Sequence, residues 1–266
     1  PKYYYFAWAN RLITYYLKTS RTNIALYEVQ NMLKEAQEED DKTGLSRCYN
    51  IMSQIYTIKR FDSMAFEWRL KEIELTEKYK IENYNISQTY AQIANYYINQ
   101  KKQKEALAAV EKAIATANSS TQQISAKLEF VNYYSKFGDF QAAEKLLKEC
   151  QAAFEQDKRL ESIKKRLYNI ECLYYQQTKQ YQKALEAAKM QEKEERRLSE
   201  SILSSIHYRT QGEIYQKMGN MNLAVKYLQM YINTDDSLKI ANEQVASSEF
   251  ATLLNVEKLN AENKEL

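Results

Sequence analysis

The sequence is poor in the residues that interrupt helices. Its 266 residues include only four glycines and one proline. Sheet proteins need turn residues about every 8–12 positions, which this composition does not supply. We therefore expect an all-α protein of long helices joined by short connections.

Residues that carry catalysis are also scarce. The chain has one histidine, His207, and its three cysteines, Cys48, Cys150 and Cys172, fit neither CxxC nor zinc spacing. Four scattered glycines cannot form a phosphate-binding GxGxxG or GxxxxGK[ST] loop. We expect no enzymatic activity, no metal site and no cofactor. The cysteines are expected to be small packing residues, and His207 to lie at the surface or between repeats.

Two further features are missing from the chain. The 38 Lys and Arg residues nearly balance 35 Asp and Glu, which leaves a net charge of +3. We therefore expect this segment not to bind nucleic acid, which requires a larger surplus of basic residues. No apolar run approaches the roughly 18–20 residues that span a membrane, so this segment should not insert into one. Because the chain begins at Pro1 instead of an initiator Met, we expect it to be a piece of a longer protein.

What the sequence does contain is an internal repeat. A tyrosine recurs at steps of 40, 41, 37, 41 and 40 residues, and an alanine follows each tyrosine by nine positions. Periods of 20–50 residues are typical of stacked helix hairpins. A mostly small residue also lies three positions before each tyrosine, which would let paired helices approach closely. The pairs are Tyr16 and Ala25, Tyr56 and Ala65, Tyr97 and Ala106, Tyr134 and Ala143, Tyr175 and Ala184, and Tyr215 and Ala224.

This register predicts six antiparallel hairpins. Each pairs a first helix, which carries the tyrosine, with a second helix, which carries the alanine. The expected pairs are 3–18 with 21–38, 43–59 with 62–79, 82–100 with 103–118, 121–136 with 140–156, 159–178 with 181–198, and 201–217 with 221–233.

The sixth hairpin carries the most complete motif. Gly212, Tyr215, the turn Gly219-Asn220 and Ala224 resemble the tetratricopeptide repeat. The resemblance implies a superhelical solenoid of about six hairpins over residues 1–236, followed by a capping helix over 237–266. The chain departs from the family in its period of about 40 residues, where 34 is usual, and in lacking the closing proline.

The terminal helix carries a weaker pattern. Val256, Leu259, Asn263 and Leu266 follow the a and d spacing of a parallel coiled coil with one polar a position. The stretch covers under two heptads, so a plain terminal helix is an equal alternative. If the coiled coil forms, this helix would pair two copies of the chain as a homodimer.

A second resemblance lies in Ser247–Leu266, SSEFATLLNVEKLNAENKEL. Tyrosine-rich repeats followed by such a segment are similar to the sensor regions of Bacteroidetes membrane signalling proteins. That family places the array on the periplasmic side of the inner membrane. The resemblance implies a membrane helix beyond Leu266, then a histidine kinase of a two-component system or a DNA-binding regulator.

The tetratricopeptide resemblance also implies a binding groove along the first helices, at positions around the conserved tyrosine. Many of these positions are Asn or Gln, whose amides both donate and accept hydrogen bonds and can hold an extended peptide backbone. The alternative is that these amides simply solvate a helix face. The predicted groove residues are Arg47, Asn50, Gln54, Asn95, Asn99, Asn132, Lys136, Arg166, Asn169, Gln176, Arg209, Glu213 and Gln216.

From the sequence we therefore expect a non-catalytic, protein- or peptide-binding sensor or scaffold. The second resemblance makes it the extracytoplasmic sensing region of a membrane-anchored signal-transduction protein. The alternative is a cytoplasmic tetratricopeptide adaptor or peptide-responsive regulator.

Overall fold

The structure is a computed structural model that describes residues 2–19, 21–198 and 205–265, with side chains for 9–17, 19, 21–195 and 205–254. Within these residues the chain forms α-helices, one short 3-10 helix over Lys158–Ile163, and no strand. The helices are α1 (Lys2–Lys18), α2 (Thr22–Glu38), α3 (Lys42–Ile58), α4 (Asp62–Tyr79), α5 (Ile86–Asn99), α6 (Gln103–Ala115), α7 (Ser120–Phe137), α8 (Phe140–Gln156), α9 (Lys164–Gln177), α10 (Tyr181–Leu198), α11 (Ile206–Lys217) and α12 (Met221–Glu265).

The turns inside the hairpins share one backbone pattern. The carbonyl of each repeat tyrosine accepts a hydrogen bond from the N–H five residues later, as Tyr56 does from Phe61 at 2.9 Å. This bond closes a helix end in which the fourth residue after the tyrosine has a left-handed backbone conformation. The left-handed residues at that position are Arg60 (φ 62°), Lys101 (φ 57°), Gly138 (φ 91°), Lys179 (φ 60°) and Gly219 (φ 78°).

The predicted small residues lie at the helix contacts. All six repeat alanines are buried, with exposed fractions between 0% and 3%. At Gly212 a β-carbon would stand 2.8 Å from Leu228 Cγ and 2.9 Å from its Cδ2, closer than real contacts allow. Large side chains fill the space around such positions because protein interiors are closely packed.

The chain divides into two compact units. The first comprises Pro1–Asn83 and Ser237–Leu266, and the second comprises Tyr84–Asp236. In the first unit a core around Val29, Met32 and Ile55 joins α1, α2 and α3. In the second unit, one core lies around Leu128 and Ile170, and another lies around Ala184, Ile214 and Ala224.

The all-α hairpin architecture is confirmed, but several helix boundaries differ from the prediction, and the predicted helix start at 201 lies outside the described residues. Helix α5 begins at Ile86 instead of 82. Residues 158–163 form a 3-10 helix instead of the start of α9, because the Asp157 carboxylate accepts from the backbone N–H of Arg159 and tightens the turn. Helix α12 continues to Glu265, where an end near 233 was expected, since no glycine or proline follows Gly219 to interrupt it.

Candidate functional site

The candidate site is a groove in the second unit formed by α5, α7 and α9, the first helices of three successive hairpins. It consists of two neighbouring cavities of about 470 Å³ and 270 Å³, and Asn169 lines both. We call them the larger and the smaller cavity. The larger is lined by Ser87, Gln88, Ala91, Thr121, Gln122, Ser125, Ala126, Ser162, Ile163, Lys165, Arg166, Asn169 and Gln191. The smaller is lined by Asn95, Ile98, Asn99, Asn132, Ser135, Lys136, Asn169, Leu173 and Gln177.

Most residues of the lining are polar, and none of them is a carboxylate. Amides and hydroxyls make up most of it, and its charged members are Lys136, Lys165 and Arg166. It also includes no histidine or cysteine. This surface can therefore exchange hydrogen bonds with a ligand, but it offers neither the carboxylate, imidazole nor thiol that most acid–base and nucleophilic catalysis uses.

A buried carboxylate organises the wall between the two cavities. Glu129 on α7 is 3% exposed, and its Oε1 accepts a hydrogen bond from Arg166 Nη2 at 2.6 Å. Its Oε2 accepts longer ones from Asn132 Nδ2 at 3.3 Å and Asn95 Nδ2 at 3.5 Å. Removing a carboxylate from water is costly unless it is paired and hydrogen-bonded, so this cluster holds α5, α7 and α9 in a defined arrangement.

The cluster also sets the direction of an amide pair on α5. A carboxylate can only accept, so Asn95 must turn its Nδ2 towards Glu129. Asn99 Nδ2 then donates to Asn95 Oδ1 at 3.0 Å, one helical turn further along α5. The Oδ1 of the exposed Asn99 is thereby directed away from Asn95.

The first unit repeats this arrangement with different residues. Glu72, which is 1% exposed, accepts from Asn50 Nδ2 at 3.1 Å, and Asn50 Oδ1 accepts from Gln54 Nε2 at 2.6 Å. Asn83 Nδ2 also donates to Glu72 at 2.8 Å. In both units a buried glutamate thus orients two amides spaced four residues apart on a first helix.

The structure brings together part of the predicted groove. Six of its residues line the cavities. Gln176 lies beside them in the second unit, donating to Cys172 Sγ at 3.4 Å and accepting from Lys217 at 3.0 Å. The six are Asn95, Asn99, Asn132, Lys136, Arg166 and Asn169.

The other predicted residues do not line either cavity. Arg47 and Gln54 are exposed on α3 of the first unit, where Asn50 is held by Glu72. On α11, Arg209, Glu213 and Gln216 are exposed. Nothing in the structure tests whether any of the thirteen residues binds a ligand, so the predicted binding site stays a prediction.

Sequence reasoning missed the residues that orient the groove. Glu129 lies between Leu128 and Val131, both 0% exposed, and this position of an acidic residue on an apolar stretch is the signal that could have found it. Glu72 gives no comparable signal, because its neighbours Leu70, Lys71 and Glu74 are exposed.

The single histidine lies behind the larger cavity. His207 is 5% exposed and its Nε2 lies 2.7 Å from Glu195 Oε2, which also pairs with Lys165 Nζ at 2.7 Å. Burial raises the pKa of Glu195, but the hydrogen bonds from Lys165 and His207 outweigh this, so the pKa lies below its usual range. His207 thus joins α10 to α11, and Glu195 holds Lys165 at the cavity wall.

No group of three or more His, Cys, Asp or Glu side chains placed to hold a metal ion occurs among the described residues. The three cysteines are buried and free. Burial raises the pKa of Cys48 and of Cys150 to about 12 and that of Cys172 to about 11. Within the same part of the chain, no helix is long and apolar enough to cross a membrane.

Comparison with solved structures identifies the fold of this chain. No family model and no curated protein matches the sequence, but solved structures do. NprR in complex with its cognate peptide NprX has a TM-score of 0.68 and 13% identity, covering 99% of this chain and 77% of that chain. A Rap protein complexed with Competence and Sporulation Factor has a TM-score of 0.61 and 16% identity, covering 97% and 76%. A tetratricopeptide repeat protein from Parabacteroides merdae ATCC 43184 has a TM-score of 0.56 and 14% identity, covering 92% and 84%.

The chain has the tetratricopeptide-repeat fold. At identities of 13–16% the likeness concerns the arrangement of helices alone. It confirms the fold class that the tyrosine and alanine spacing predicted.

Proposed function

We propose that this protein is a non-catalytic, peptide- or protein-binding array whose ligand occupies the groove of the second unit. The observation that carries the proposal is the pair of cavities joined at Asn169 along α5, α7 and α9. Their amide-rich walls suit an extended peptide, because each peptide unit presents one N–H and one C=O that an amide can match.

The prearranged amides strengthen this proposal. Glu129 fixes the orientation of Asn95 and Asn132 before a ligand arrives. A ligand that meets preset side chains loses less free energy to the ordering of the site. Two of the similar structures were solved with a peptide or a factor bound, as their names state, which also favours peptide binding here.

We further propose that the array is the sensing region of a membrane-anchored signalling protein, on the periplasmic side of the inner membrane. Its support is the similarity of Ser247–Leu266 to the corresponding segment of Bacteroidetes sensors. In this proposal residues 1–236 are the binding array, and 237–266 cap it and lead to a coiled coil that pairs two copies. The side chains of Val256, Leu259, Asn263 and Leu266, which would form that seam, lie outside the described residues.

The alternative is a cytoplasmic peptide-responsive regulator with the same groove and no membrane helix. The full reading frame separates the two. A signal sequence before Pro1 and an apolar helix of roughly 20 residues soon after Leu266 are expected for the sensor. A reading frame with neither would leave the cytoplasmic regulator.

Peptide binding is tested by capture of synthetic random heptapeptides on the immobilised chain, with bound peptides quantified by mass spectrometry. Asn169 and Gln177 are exposed and line the groove. The double variant Asn169→Ala and Gln177→Ala should therefore lower capture about tenfold through loss of hydrogen bonds. Gln141→Ala with Gln156→Ala, two exposed amides of α8 outside the groove, is the matched control. Equal capture by both double variants would contradict the proposed site.

A further inference from the structure

The sixth hairpin leaves exposed a helix face that is covered in the fifth. On α10, Leu185 and Ala188 are 4% and 2% exposed, and both belong to the same core as Ile214 of α11. One turn further along α10, Glu192 accepts a hydrogen bond from Gln211 of α11 at 2.7 Å. This side of α10 is therefore covered by α11, the first helix of the next hairpin.

A shift of 40 residues, the step between the last two repeat tyrosines, carries the same face onto α12. There Val225 is 67% exposed, Met221 59% and Ile232 48%, while Leu228 is half-buried and packs against Gly212. Residues four and seven positions apart lie on one side of a helix. We call the three exposed side chains, Met221, Val225 and Ile232, the outer stripe of α12.

The composition of this part of α12 is that of an interface. Lys226 is the only charged residue within 221–233, whereas the matching residues 181–193 of α10 include five. The segment 221–233 also contains two methionines and two tyrosines. Interface cores are enriched in aromatic residues and methionine and depleted in charge. The outer stripe therefore has the character of a contact surface and not of the polar end that a solenoid turns to water.

A second copy of the chain offers a matching surface. In a twofold contact the same patch meets itself on both subunits, so a charged patch would repel its own copy. The outer stripe carries no charge. Together with Leu228, its side chains follow one another at spacings of 4, 3 and 4 residues. These spacings read the same in both directions, so apolar side chains of the two copies can meet along the whole contact.

We propose that the outer stripe of α12 packs against the same stripe of a second copy and forms a closed dimer. The second copy then covers α12 as α11 covers α10. This inference goes beyond the proposed function, because the ligand groove lies on α5, α7 and α9. The contact is also separate from the seam predicted at 256–266.

Sedimentation velocity over a range of concentrations tests the contact on the full chain. Leu259→Lys, at a position of the predicted terminal seam, is introduced into every protein so that this seam cannot pair two copies. We expect the resulting protein to be a dimer at about 100 μM and to dissociate on dilution, as a contact of micromolar Kd would. Adding Met221→Lys with Val225→Lys should weaken the dimer at least about tenfold, because apolar burial is lost and like charges meet.

Asn222→Lys with Asn233→Lys is the matched control. It adds the same charge at two exposed positions of α12 beside the outer stripe, and the dimer should keep its affinity. Circular dichroism establishes that each variant is folded. If the change at Met221 and Val225 unfolded the protein, Ile232→Lys would decide the matter in its place.

Three outcomes would overturn the proposal. The first is a monomer in the Leu259→Lys chain at about 100 μM, where a micromolar contact would be saturated. The second is equal weakening of the dimer by the two double variants. The third is a ladder of species that grows with concentration, because copies that stack head to tail do not close into a dimer.

Discussion

Asn23 and Glu249 lie 226 positions apart in the chain, and the Glu249 carboxylate accepts hydrogen bonds from both the backbone N–H of Asn23 at 3.1 Å and its Nδ2 at 2.7 Å. The N–H of Ile24 also donates to the same carboxylate at 3.3 Å. Arg21, at the N-cap of α2, makes no side-chain capping bond. Glu249, 3% exposed, therefore caps α2 from a distant helix, where a negative charge also complements the helix dipole.

The first prediction concerns this capping contact. Glu249→Ala removes three hydrogen bonds and leaves two N–H groups at the start of α2 without a partner, of which that of Ile24 is buried. We therefore expect a loss of about 1–3 kcal/mol in the free energy of unfolding. Urea denaturation followed by circular dichroism measures the loss. Glu243→Ala, at an exposed position on the same helix, should change stability by less than about 0.5 kcal/mol. Equal effects from the two variants would show that the cap is not formed.

The second prediction concerns the close approach at Gly212. A β-carbon there would lie 2.8 Å from Leu228 Cγ and 3.3 Å from the Leu228 backbone nitrogen. Because a backbone atom cannot easily move away, Gly212→Ala should lower the melting temperature, with a cost of about 1–3 kcal/mol.

A second substitution tests the reason for that cost. Leu228→Ala removes the two side-chain carbons closest to the new methyl group. The double variant Gly212→Ala with Leu228→Ala should therefore be less destabilised than the sum of the single variants. Strict additivity would mean that the two helices do not meet at this point.

The third prediction uses the left-handed residues of the turns. Lys179 has φ 60° in a position that Gly138 and Gly219 fill in other repeats. A residue with a β-carbon in the left-handed conformation destabilises the folded chain by about 1–2 kcal/mol, and glycine relieves this strain. Glycine also gives the unfolded chain more conformational freedom, which offsets part of the stability gained by the substitution. We therefore expect Lys179→Gly to raise stability by about 0.5–1 kcal/mol.

The sign of this effect should depend on the backbone conformation. Lys189, also exposed, lies within α10, where glycine costs about 1 kcal/mol. Lys189→Gly should consequently lower the melting temperature while Lys179→Gly raises it. A decrease in both variants would contradict the left-handed turn.

The features that could be predicted from the sequence are those that recur within one hairpin. The tyrosine at the end of a first helix and the alanine nine residues later report a turn and a helix contact that repeat with the same geometry, so Tyr134 and Ala143 located their hairpin correctly. The tetratricopeptide resemblance also implied a groove along the first helices, and Asn95, Asn132 and Asn169 do line the cavities.

The features that could not be predicted depend on contacts between distant residues. Glu249 resembles any other acidic residue of a long helix until Asn23 is placed beside it. The apolar neighbours of Glu129 indicate that it is buried, but they do not identify Arg166, the partner from the next hairpin that helps to make its burial favourable. Local periodicity carries no information about such pairs, because they depend on how successive hairpins stack.

The fourth prediction follows from the buried thiols. The thiolate is the reactive form of cysteine, and burial raises the pKa of Cys48 and Cys150 to about 12 and of Cys172 to about 11. At pH 8 all three should stay protonated in the folded chain and resist a disulfide reagent. The same reagent should titrate all three in urea, and fast labelling of any thiol in the folded protein would contradict their burial.

The same shift has a consequence for stability at alkaline pH. An exposed thiol of the unfolded chain loses its proton near pH 8.5, whereas the folded thiols keep theirs to about pH 11–12. The contribution of these thiols to stability is therefore complete below about pH 8.5 and is lost as the pH rises through the folded values. Replacing all three by Ala should flatten the decline in stability over that range.

The last prediction concerns the coupling between Glu129 and Arg166. Their atoms Oε1 and Nη2 lie 2.6 Å apart, and the Glu129 side chain is 4% exposed. Removal of either partner alone leaves a charge without its counterion in a partly dry site, which costs about 3 kcal/mol or more for a buried pair. Removal of both leaves no such charge.

We therefore expect the double variant Glu129→Gln with Arg166→Gln to be more stable than the sum of its single variants predicts, by at least about 1 kcal/mol. Arg209 and Glu213 provide the comparison, since this pair lies four residues apart on α11, with side chains 48% and 51% exposed and 3.7 Å between their charged atoms. Solvent screens such a pair, so the same cycle of variants there should give a coupling of about 0.5 kcal/mol or less. If urea unfolding gave both pairs the same small coupling, Glu129 would not be the buried carboxylate that holds α7 to α9, and the orientation of the groove amides would need another cause.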